Sequence, residues 1–404
     1  MPKGWVWAGL IGLLAVLAPG ARAESLRVGF VSSLSESGAS LGRDLLDGLK
    51  LGFKHVGGRL GGIDVEIFEA DDGLDPARAV LQALDLVERE RVQILTGSAT
   101  APVARAVATA LAKSPVILIG LVPGPGGLAG PECRSNYFAL APTDDLLVEA
   151  LARLAQPGRE RKLALILPAT ENGRAEAHRL APRLAPSATV ALEIRAGQIL
   201  YDEPVARLGQ TRPDAVLVLL GGGMGVNFVR AYHAAGLKAK GPLLGPYALF
   251  EAPYLAAMGE AGLGARTAAP WSDDLDNPVN RRMLAEFDEE HRRPATSHVA
   301  LGYDLALLLD LATRAVQGRV SDRTAFQNAL ARASLNGTRG PLRFANNRHL
   351  QAPVFLREVG RDTKGRLINQ TRETIAAPAE RLVPACPLAL LEDAPQASPP
   401  KRPQ

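Results

Sequence analysis

The strongest constraint on the fold is a regular alternation, after residue 23, between short apolar runs and amphipathic segments. Leu26–Leu34 is an apolar run that predicts a strand. Leu41–Val56 predicts a helix, because an apolar stripe passes through Leu45 and Leu49. Strands that alternate with helices are typical of parallel sheets covered by helices. The remaining strands of this first series are predicted at 63–71, 92–98, 115–121 and 136–142, and its other helices at 75–90 and 101–113.

A second series of the same kind follows, and then the pattern changes after Ala265–Trp271. The second series predicts strands near 162–168, 189–195, 214–221 and 242–247, with helices near 173–184, 202–210 and 225–236. The later part predicts three helices at 277–292, 297–317 and 321–334, followed by strands near 341–345, 352–358 and 366–372. A chain that builds one α/β unit, then another, and then supplies further helices is expected to cross between two lobes more than once.

The N-terminus has the pattern of a secretory signal peptide over residues 1–23. Lys3 precedes an apolar run at 5–18, and Ala21-Arg22-Ala23 is an A-x-A cleavage pattern followed by Glu24. The apolar run is shorter than the roughly 20 residues that span a bilayer, which disfavours the alternative of a membrane anchor. We therefore predict an exported protein.

Composition excludes some classes of function. The chain is 47% hydrophobic, enough for real cores, and its net charge of +4 falls to +2 without Lys3 and Arg22. Basic residues are spread along the chain and aromatics are only 5%, which argues against nucleic-acid binding. In an oxidising compartment the two cysteines, Cys133 and Cys386, suggest a disulfide, with two unpaired thiols as the alternative. Residues 377–404 are predicted as a proline-rich tail.

The glycine-rich turn at 221–225 is the most enzyme-like element, because it follows a strand and begins a helix. A dinucleotide fingerprint needs a third glycine where this chain has Val226, and no acidic residue ends the next strand. We predict that Gly222 and Gly223 line a cleft, where glycine allows close approach to the backbone. A tight strand-to-helix turn is the structural alternative.

Two further loops are candidates for ligand contact. Ser98 and Thr100 precede Pro102 at the predicted start of a helix, which is a good N-cap arrangement. Helix N-termini at the carboxyl ends of parallel strands also bind anions, so these hydroxyls have capping and carboxylate binding as open alternatives. The rigid loop that contains Val122 and Gly124 offers backbone donors, as a ligand contact or as a mere turn.

Motifs for catalysis or metal binding are not recognisable. The sequence has neither a G-x-S-x-G nucleophile elbow nor an H-E-x-x-H metal motif, so we predict no enzyme activity and no cofactor. The pairs Asp71-Asp72 and Asp273-Asp274 resemble metal carboxylates, but they end a strand and follow a predicted crossing, where acids often cap neighbouring segments. We therefore predict no metal site.

The stretches VGFVSSLSESGASLGRDLLDGLKLGFKHVGGRLGG at 28–62 and VEIFEADDGLDPARAV at 65–80 resemble the type I periplasmic solute-binding proteins, the group of the leucine/isoleucine/valine-binding proteins. The resemblance implies two Rossmann-like lobes with parallel central sheets, joined by three hinge crossovers near 139–143, 267–272 and 343–352. It places 24–140 plus 270–345 in an N-terminal lobe and 141–269 plus 346–376 in a C-terminal lobe. Family members close both lobes around a ligand by hinge motion.

Leu128-Ala129-Gly130 with Cys133, the GGGMGVNFV block, and 271–278 resemble more narrowly a subgroup associated with aromatic acids such as benzoates. That subgroup tends to carry a C-terminal cysteine, which Cys386 matches. The amino-acid binders have a hydroxyl-bearing loop where this chain has Val122–Gly126, and they have an acid near the position of Tyr247. A ring at Tyr247 would suit stacking, which favours an aromatic carboxylate over leucine.

The resulting prediction is a periplasmic binding protein, expected to be a monomer, that captures a small carboxylate for an inner-membrane ABC permease. The carboxylate of the ligand is expected to contact Ser98, Thr100 and the backbone of Gly124. The apolar body of the ligand is expected to contact the side chains of Leu41, Val122, Tyr247 and Trp271. The second lobe is expected to close with Asn172, Gly222 and Gly223. The alternatives are a branched-chain amino acid or amide as the ligand, and a sensor of the same fold.

Overall fold

The computed structural model describes residues 25–35, 39–155, 162–184, 189–376 and 385–388. The predicted signal peptide at 1–23 lies outside these residues, as does the predicted tail except for 385–388. None of the helices in the described ranges has the length and hydropathy needed to cross a bilayer.

Two α/β lobes make up the described chain. Its strands are β1 Ser25–Ser32, β2 Asp64–Asp71, β3 Ile94–Gly97, β4 Ile117–Gly120, β5 Tyr137–Ala139, β6 Leu163–Pro168, β7 Thr189–Ile194, β8 Ala215–Val218, β9 Leu243–Pro246, β10 Arg266–Ala269, β11 Ser334–Gly337, β12 Gly340–Phe344, β13 Leu350–Gln351, β14 Val354–Arg361 and β15 Leu367–Ile375. Its α-helices are α1 Ala39–His55, α2 Pro76–Glu88, α3 Ala101–Ala110, α4 Asp144–Ala155, α5 Glu171–Leu184, α6 Asp202–Thr211, α7 Gly222–Ala234, α8 Ala252–Met258, α9 Pro278–His291, α10 Ser297–Ala315 and α11 Arg323–Ala331.

The N-terminal lobe has a five-stranded sheet of order β2-β1-β3-β4-β5 in which every pairing is parallel. The C-terminal lobe has a seven-stranded sheet of order β15-β14-β10-β9-β8-β6-β7. Its pairings are parallel from β10 to β7, while β14 runs antiparallel to both β10 and β15. The predicted fold class, an α/β protein with two lobes built on mainly parallel sheets, is therefore confirmed.

Local sequence chemistry explains where several helices begin. The Asp75 carboxylate accepts a hydrogen bond from the Ala77 backbone N–H, and Pro76 occupies the first turn of α2. At α10 the Thr296 hydroxyl accepts from the Val299 N–H. These side chains satisfy backbone donors that lack a partner inside the helix, and Pro in the first turn removes one such donor.

The chain passes between the two sheets at 140–143, at 270–277 and at 352–353. The resemblance implies a third crossing near 343–352 with a lobe boundary at 345/346, and the passage between the sheets lies at the end of that range. The short β13 still pairs with β12 in a third, antiparallel sheet of order β11-β12-β13, and Leu342 and Leu350 of this sheet pack into the core of the N-terminal lobe. The sequence pattern predicts no helix or strand at 144–155, and this stretch forms α4.

A buried ion pair ties the third sheet to the first crossing. Asp304 on α10 and Arg339 in the turn before β12 are both 0% exposed at their side chains, with 3.0 Å between Nε and Oδ2. Asp304 also accepts from the backbone N–H of Thr338, and Arg339 donates to the carbonyl of Leu140 at 2.9 Å. One guanidinium therefore links α10, the small sheet and the chain as it leaves the N-terminal lobe.

We predict that Arg339→Ala lowers the free energy of unfolding by about 3–5 kcal/mol, because it leaves the Asp304 carboxylate buried without its cation. Urea denaturation followed by circular dichroism measures the loss. The matched control is Arg343→Ala on β12, an exposed arginine that donates to Gln351. Equal losses in the two variants would contradict the assigned role of the buried pair.

Candidate functional site

The two lobes meet where the loops after their parallel strands face each other. Tyr247, which directly follows β9, stacks on His298 of α10, with 5.7 Å between ring centroids and 26° between ring planes. Ser40 in the first turn of α1 lies 3.4 Å from the Tyr254 hydroxyl of α8. In α/β folds, ligands bind in the crevice at the carboxyl ends of the strands. This interface is therefore the candidate site.

A buried arginine holds the two lobes together beside Tyr247. The Arg357 side chain on β14 is 0% exposed and donates to the Trp271 carbonyl at 2.9 Å and to the Thr267 hydroxyl at 3.1 Å. The same guanidinium approaches the Glu251 carboxylate at 3.4 Å. Glu251 in turn accepts from the Ser297 hydroxyl, 2.6 Å away, and from its backbone N–H. These contacts connect the C-terminal sheet to the first residue of α10.

The loop after β3 is held in an unusual backbone conformation. Gly97 has φ +108° and Ser98 has φ +53°, the left-handed region that non-glycine residues rarely adopt. A Cβ at Gly97 would lie 2.1 Å from the Val31 carbonyl oxygen, and the Ser98 N–H donates to that same oxygen at 2.6 Å. The geometry requires glycine at 97 and fixes the half-buried Ser98 at the carboxyl end of the sheet.

Thr100 begins α3, but its side chain makes no capping hydrogen bond with any described residue. The sequence left helix capping and carboxylate binding open for Thr100. Among the described residues its hydroxyl does not cap the helix. The backbone N–H groups of the first turn, with the positive end of the helix dipole, can receive an anion. Ser98 and Thr100 lie beside that helix start.

The loop after β4 lies over the Tyr137 hydroxyl. A Cβ at Gly124 would come 3.3 Å from this hydroxyl, and one at Gly120 would come 2.5 Å from it. Gly124 also forms a parallel bridge with Thr143, and its carbonyl accepts from the Asp144 N–H at 3.0 Å. The loop therefore connects the end of β4 to the start of α4.

Tyr137 and Asp144 are site residues that the sequence analysis missed. Burial raises the pKa of Tyr137, and the Asp144 carboxylate raises it further. Burial also raises the pKa of Tyr247, with Glu251 and then Asp144 adding to the effect. The Asp144 carboxylate thus acts on both phenols, which remain protonated donors at neutral pH. No motif could identify Asp144, because only the fold brings it near Tyr247.

His298 completes the ring contact as a neutral imidazole. Burial lowers its pKa to about 4, although the nearby Asp44 carboxylate acts in the opposite direction. Its Nδ1 atom is buried and has no hydrogen-bond partner among the described residues. The Tyr247 ring therefore has an uncharged aromatic neighbour on one face.

A cavity of about 300 Å³ extends from the start of α3 into the C-terminal lobe. Tyr247, Asp144 and Glu176 line it together with Pro102, and most of the remaining wall is apolar. The apolar wall includes Leu147, Val148, Leu151, Leu180 and Leu219. A small molecule with an apolar body and one polar end fits this combination of surfaces.

The glycine turn at the start of α7 is open on its outer side. Gly222 has φ +53°, and a Cβ added at Gly221, Gly222 or Gly223 would meet no described atom within 4 Å. That space allows another group to approach the backbone closely. Asn172 is the second residue of α5, and its side chain lies outside the described part of the structure.

Three apolar predictions have different outcomes. Leu41 is half-buried on α1 and packs against the N-terminal core. Val122 is only 4% exposed and packs inside that core, so its side chain offers little surface to a ligand. Trp271 is 0% exposed, packs with Met283 and Phe287, and donates its indole N–H to Asn280 at 2.8 Å. The predicted ligand contact of Trp271 is therefore wrong, because this ring is a core residue.

The two acidic pairs hold loops in place. Asp71 accepts from the Leu34 N–H and the Ser35 hydroxyl, and these bonds with others hold its pKa at about 2. Asp273 accepts from the Asn369 N–H, and Asp274 from the Thr371 N–H. Within the described ranges no cluster of three or more His, Cys, Asp or Glu residues is arranged to hold a metal.

The disulfide joins Cys133 to Cys386 with 5.6 Å between their Cα atoms, the pairing that the sequence suggested. Leu388 packs against the two cysteines. The bond anchors residues 385–388 to the segment that follows the loop containing Gly124.

Comparison with known proteins gives one family. The family described as periplasmic binding protein matches residues 25–365. The Leu/Ile/Val-binding protein homolog 6 of Brucella melitensis is 25% identical over 375 residues, which cover 90% of this chain and 95% of that protein.

Solved structures of similar fold cover nearly the same part of the chain. A solute-binding protein of an ABC transporter from R. palustris, in complex with benzoate, has 25% identity and a TM-score of 0.76, covering 88% of this chain and 98% of its own. A leucine-binding protein from Thermotoga maritima has 16% identity and a TM-score of 0.73, with 87% and 99% covered. The second likeness concerns the fold alone.

We predict that a variant without His298 loses less free energy of unfolding in mild acid than the wild type does. A histidine whose folded pKa is about 4 contributes stability that is present above its usual pKa of 6.5 and is lost as pH falls towards 4. Denaturation at pH 7 and pH 4.5 should show that the wild type loses up to about 3 kcal/mol more than His298→Gln.

The comparison must be a difference between variants, because Asp273 has the opposite trend. Burial raises the pKa of Asp273 to about 7, so its contribution is present below 3.8 and is lost as pH rises towards 7. The contribution of Asp273 is the same in the wild type and in His298→Gln, so it cancels in the difference between them. The control is His178→Gln on the exposed surface of α5. Identical pH profiles for all three proteins would contradict the assignment to His298.

Proposed function

This chain belongs to the periplasmic binding protein family, and on that premise we propose that it captures a small aromatic carboxylate in the periplasm for an ABC importer. Members of this family bind small molecules as the substrate-binding components of ABC transporters and work with a membrane permease. In this proposal the chain binds its ligand by cleft closure and has no catalytic role.

The observation that carries the proposal is the start of α3. Its first turn has no side-chain cap among the described residues, and the hydroxyls of Ser98 and Thr100 lie beside it. A carboxylate in a partly desolvated cleft needs several donors, which this helix start and the two hydroxyls supply. Pro102 at the same helix start borders the cavity, so an anion there would extend its body towards Tyr247.

The cavity supports a flat apolar body on that carboxylate. Tyr247 borders the cavity, and its other ring contact is the neutral His298. An aromatic ligand can stack on such a phenol or meet its edge, while the leucine side chains of α4 cover the rest of the ring. The bound benzoate of the similar R. palustris protein agrees with this choice of ligand class.

A branched-chain amino acid is the second candidate, and Asp144 is the observation that favours it. Its carboxylate acts on Tyr137 and Tyr247 and lines the cavity, so it can accept from a ligand ammonium near the start of α3. Glu251 does not line this cavity, and its carboxylate contacts Ser297 and Arg357. The two candidates therefore differ in whether the ligand carries a cation for Asp144.

We predict that benzoates raise the melting temperature of the mature protein and that leucine does not. A ligand at 100 times its dissociation constant adds about 2.7 kcal/mol of stability, which corresponds to a shift of a few degrees. A thermal-shift screen of benzoates, cinnamates, aliphatic acids and amino acids measures this. A shift with amino acids alone would replace the aromatic ligand by the second candidate, and no shift with any of the four classes would reject both.

We predict that Ser98→Ala weakens binding of the acid that the screen identifies by about 5- to 150-fold, the equivalent of 1–3 kcal/mol for a lost hydrogen bond to a charged group. Isothermal titration calorimetry gives the dissociation constants. Thr109→Ala, at the exposed far end of α3, is the matched control and should bind normally. Unchanged affinity in Ser98→Ala would remove this hydroxyl from the site.

A further inference from the structure

A second surface feature lies at the opposite edge of the N-terminal sheet from the candidate site. A groove of about 350 Å³ opens where β3 and β4 begin, between the end of α2 and the first turns of α11. Its floor is apolar, with Val87 and Pro115 presenting surface and Val92, Val116, Val320 and Phe326 buried directly beneath. We call this the amino-end groove. Because the carboxyl ends of the same strands form the candidate site, the groove is separate from it.

The rim of the amino-end groove is basic. Arg91 and Arg323 line it, and Lys113 lies two residues before Pro115. All three side chains are exposed, and none forms an ion pair with a residue in the described ranges. Two of the neighbouring acids are already engaged, since Glu90 pairs with Arg27 and Asp322 caps α11. The groove therefore suits an occupant with an apolar part and adjacent negative charge.

The disulfide anchors the C-terminal segment close to this groove. Cys133 lies three residues before Asn136, whose side-chain amide donates to the carbonyl of Val116 on the groove floor. On the other side of the groove, Gln327 of α11 donates to the carbonyl of Ser135. Both contacts place the 133–136 segment, and with it Cys386, beside the groove.

The sequence directly after Leu388 has the composition that the groove requires. Residues 389–393 are Ala-Leu-Leu-Glu-Asp, an apolar pair followed by two acids. From Cys386, five residues of extended chain reach at most about 17 Å, enough to bring Leu391 past the three residues that separate Cys133 from Asn136. We propose that residues 389–393 of this chain bind in the amino-end groove, with Leu390 and Leu391 on its floor and Glu392 and Asp393 facing Arg91 and Arg323.

Binding of 389–393 would attach the C-terminal segment to the N-terminal lobe at a second point, in addition to the disulfide. Burial of two leucine side chains is a favourable term that does not depend on salt, whereas the acid–arginine contacts at an exposed rim weaken as ionic strength rises. The disulfide raises the local concentration of the segment, so even weak contacts suffice to hold it in place.

The test is methyl NMR on the mature, disulfide-bonded protein with labelled leucine and valine. We expect NOEs from the methyl groups of Leu390 and Leu391 to Val87, Val116 and Val320. Truncation after Leu388 should remove these NOEs and shift the three valine resonances. Truncation after Asp393 is the matched control and should leave them unchanged.

Charge variants give an independent readout on the complete mature chain. Arg91→Glu combined with Arg323→Glu should reproduce the valine shifts of the shorter truncation, while Arg212→Glu on the C-terminal lobe should not. Valine resonances that do not shift when 389–393 is removed would overturn the proposal. Shifts that appear only at high protein concentration would also overturn it, because they would identify a second copy as the occupant.

Discussion

The geometry of the candidate site depends on one buried cation, Arg357. A guanidinium with no exposed surface must have its donors satisfied, because an unpaired charge in a protein interior is strongly destabilising. Its partners come from separate parts of the chain: Thr267 on β10, Trp271 in the second crossing, and Glu251 after β9. Satisfying this one group therefore ties the second crossing to the C-terminal sheet.

The same network sets the distance between the two lobes at Tyr247. Glu251 accepts two hydrogen bonds from Ser297, and Ser297 is the residue before His298. The ring contact between Tyr247 and His298 is thus a consequence of an ion pair four residues away along the chain. This arrangement also explains why Glu251, although buried beside the site, cannot serve as a free acceptor for a ligand cation.

Much of the fold was predictable from the sequence because strands buried on both faces are nearly continuous apolar runs. β3, β4 and β8 are fully buried strands of this kind, and the predicted segments contain each of them. The short β11 and β13 were not predictable. In β11 buried and exposed residues alternate over only four positions, and β13 has two residues. Because they pair with β12, the chain stays with the N-terminal lobe until 351. The third crossing therefore lies at 352–353, after the implied lobe boundary at 345/346.

The site was less predictable than the fold, since its residues come together through topology. Ser98 follows a strand at a helix start, a local pattern that a sequence displays. Asp144 follows the first crossing, and it acts on both Tyr137 and Tyr247 only because the fold brings the end of β5 and the start of α4 to this interface. Trp271 illustrates the converse error. An aromatic residue near a hinge resembles a ligand contact in sequence, but its full burial against α9 and its bond to Asn280 make it part of the core.

The backbone at Ser98 connects these levels. A non-glycine residue in the left-handed region costs on the order of 1 kcal/mol, and such strain persists where the surrounding structure fixes it. Here the Val31 carbonyl fixes it, by accepting from the Ser98 N–H and by excluding any side chain at Gly97. The N-terminal lobe consequently presents hydroxyls and helix N–H groups, whereas the C-terminal lobe presents a phenol ring, leucines and the carboxylates of Asp144 and Glu176. In the proposed function, a ligand that meets both surfaces at once carries an anion at one end and an apolar body at the other.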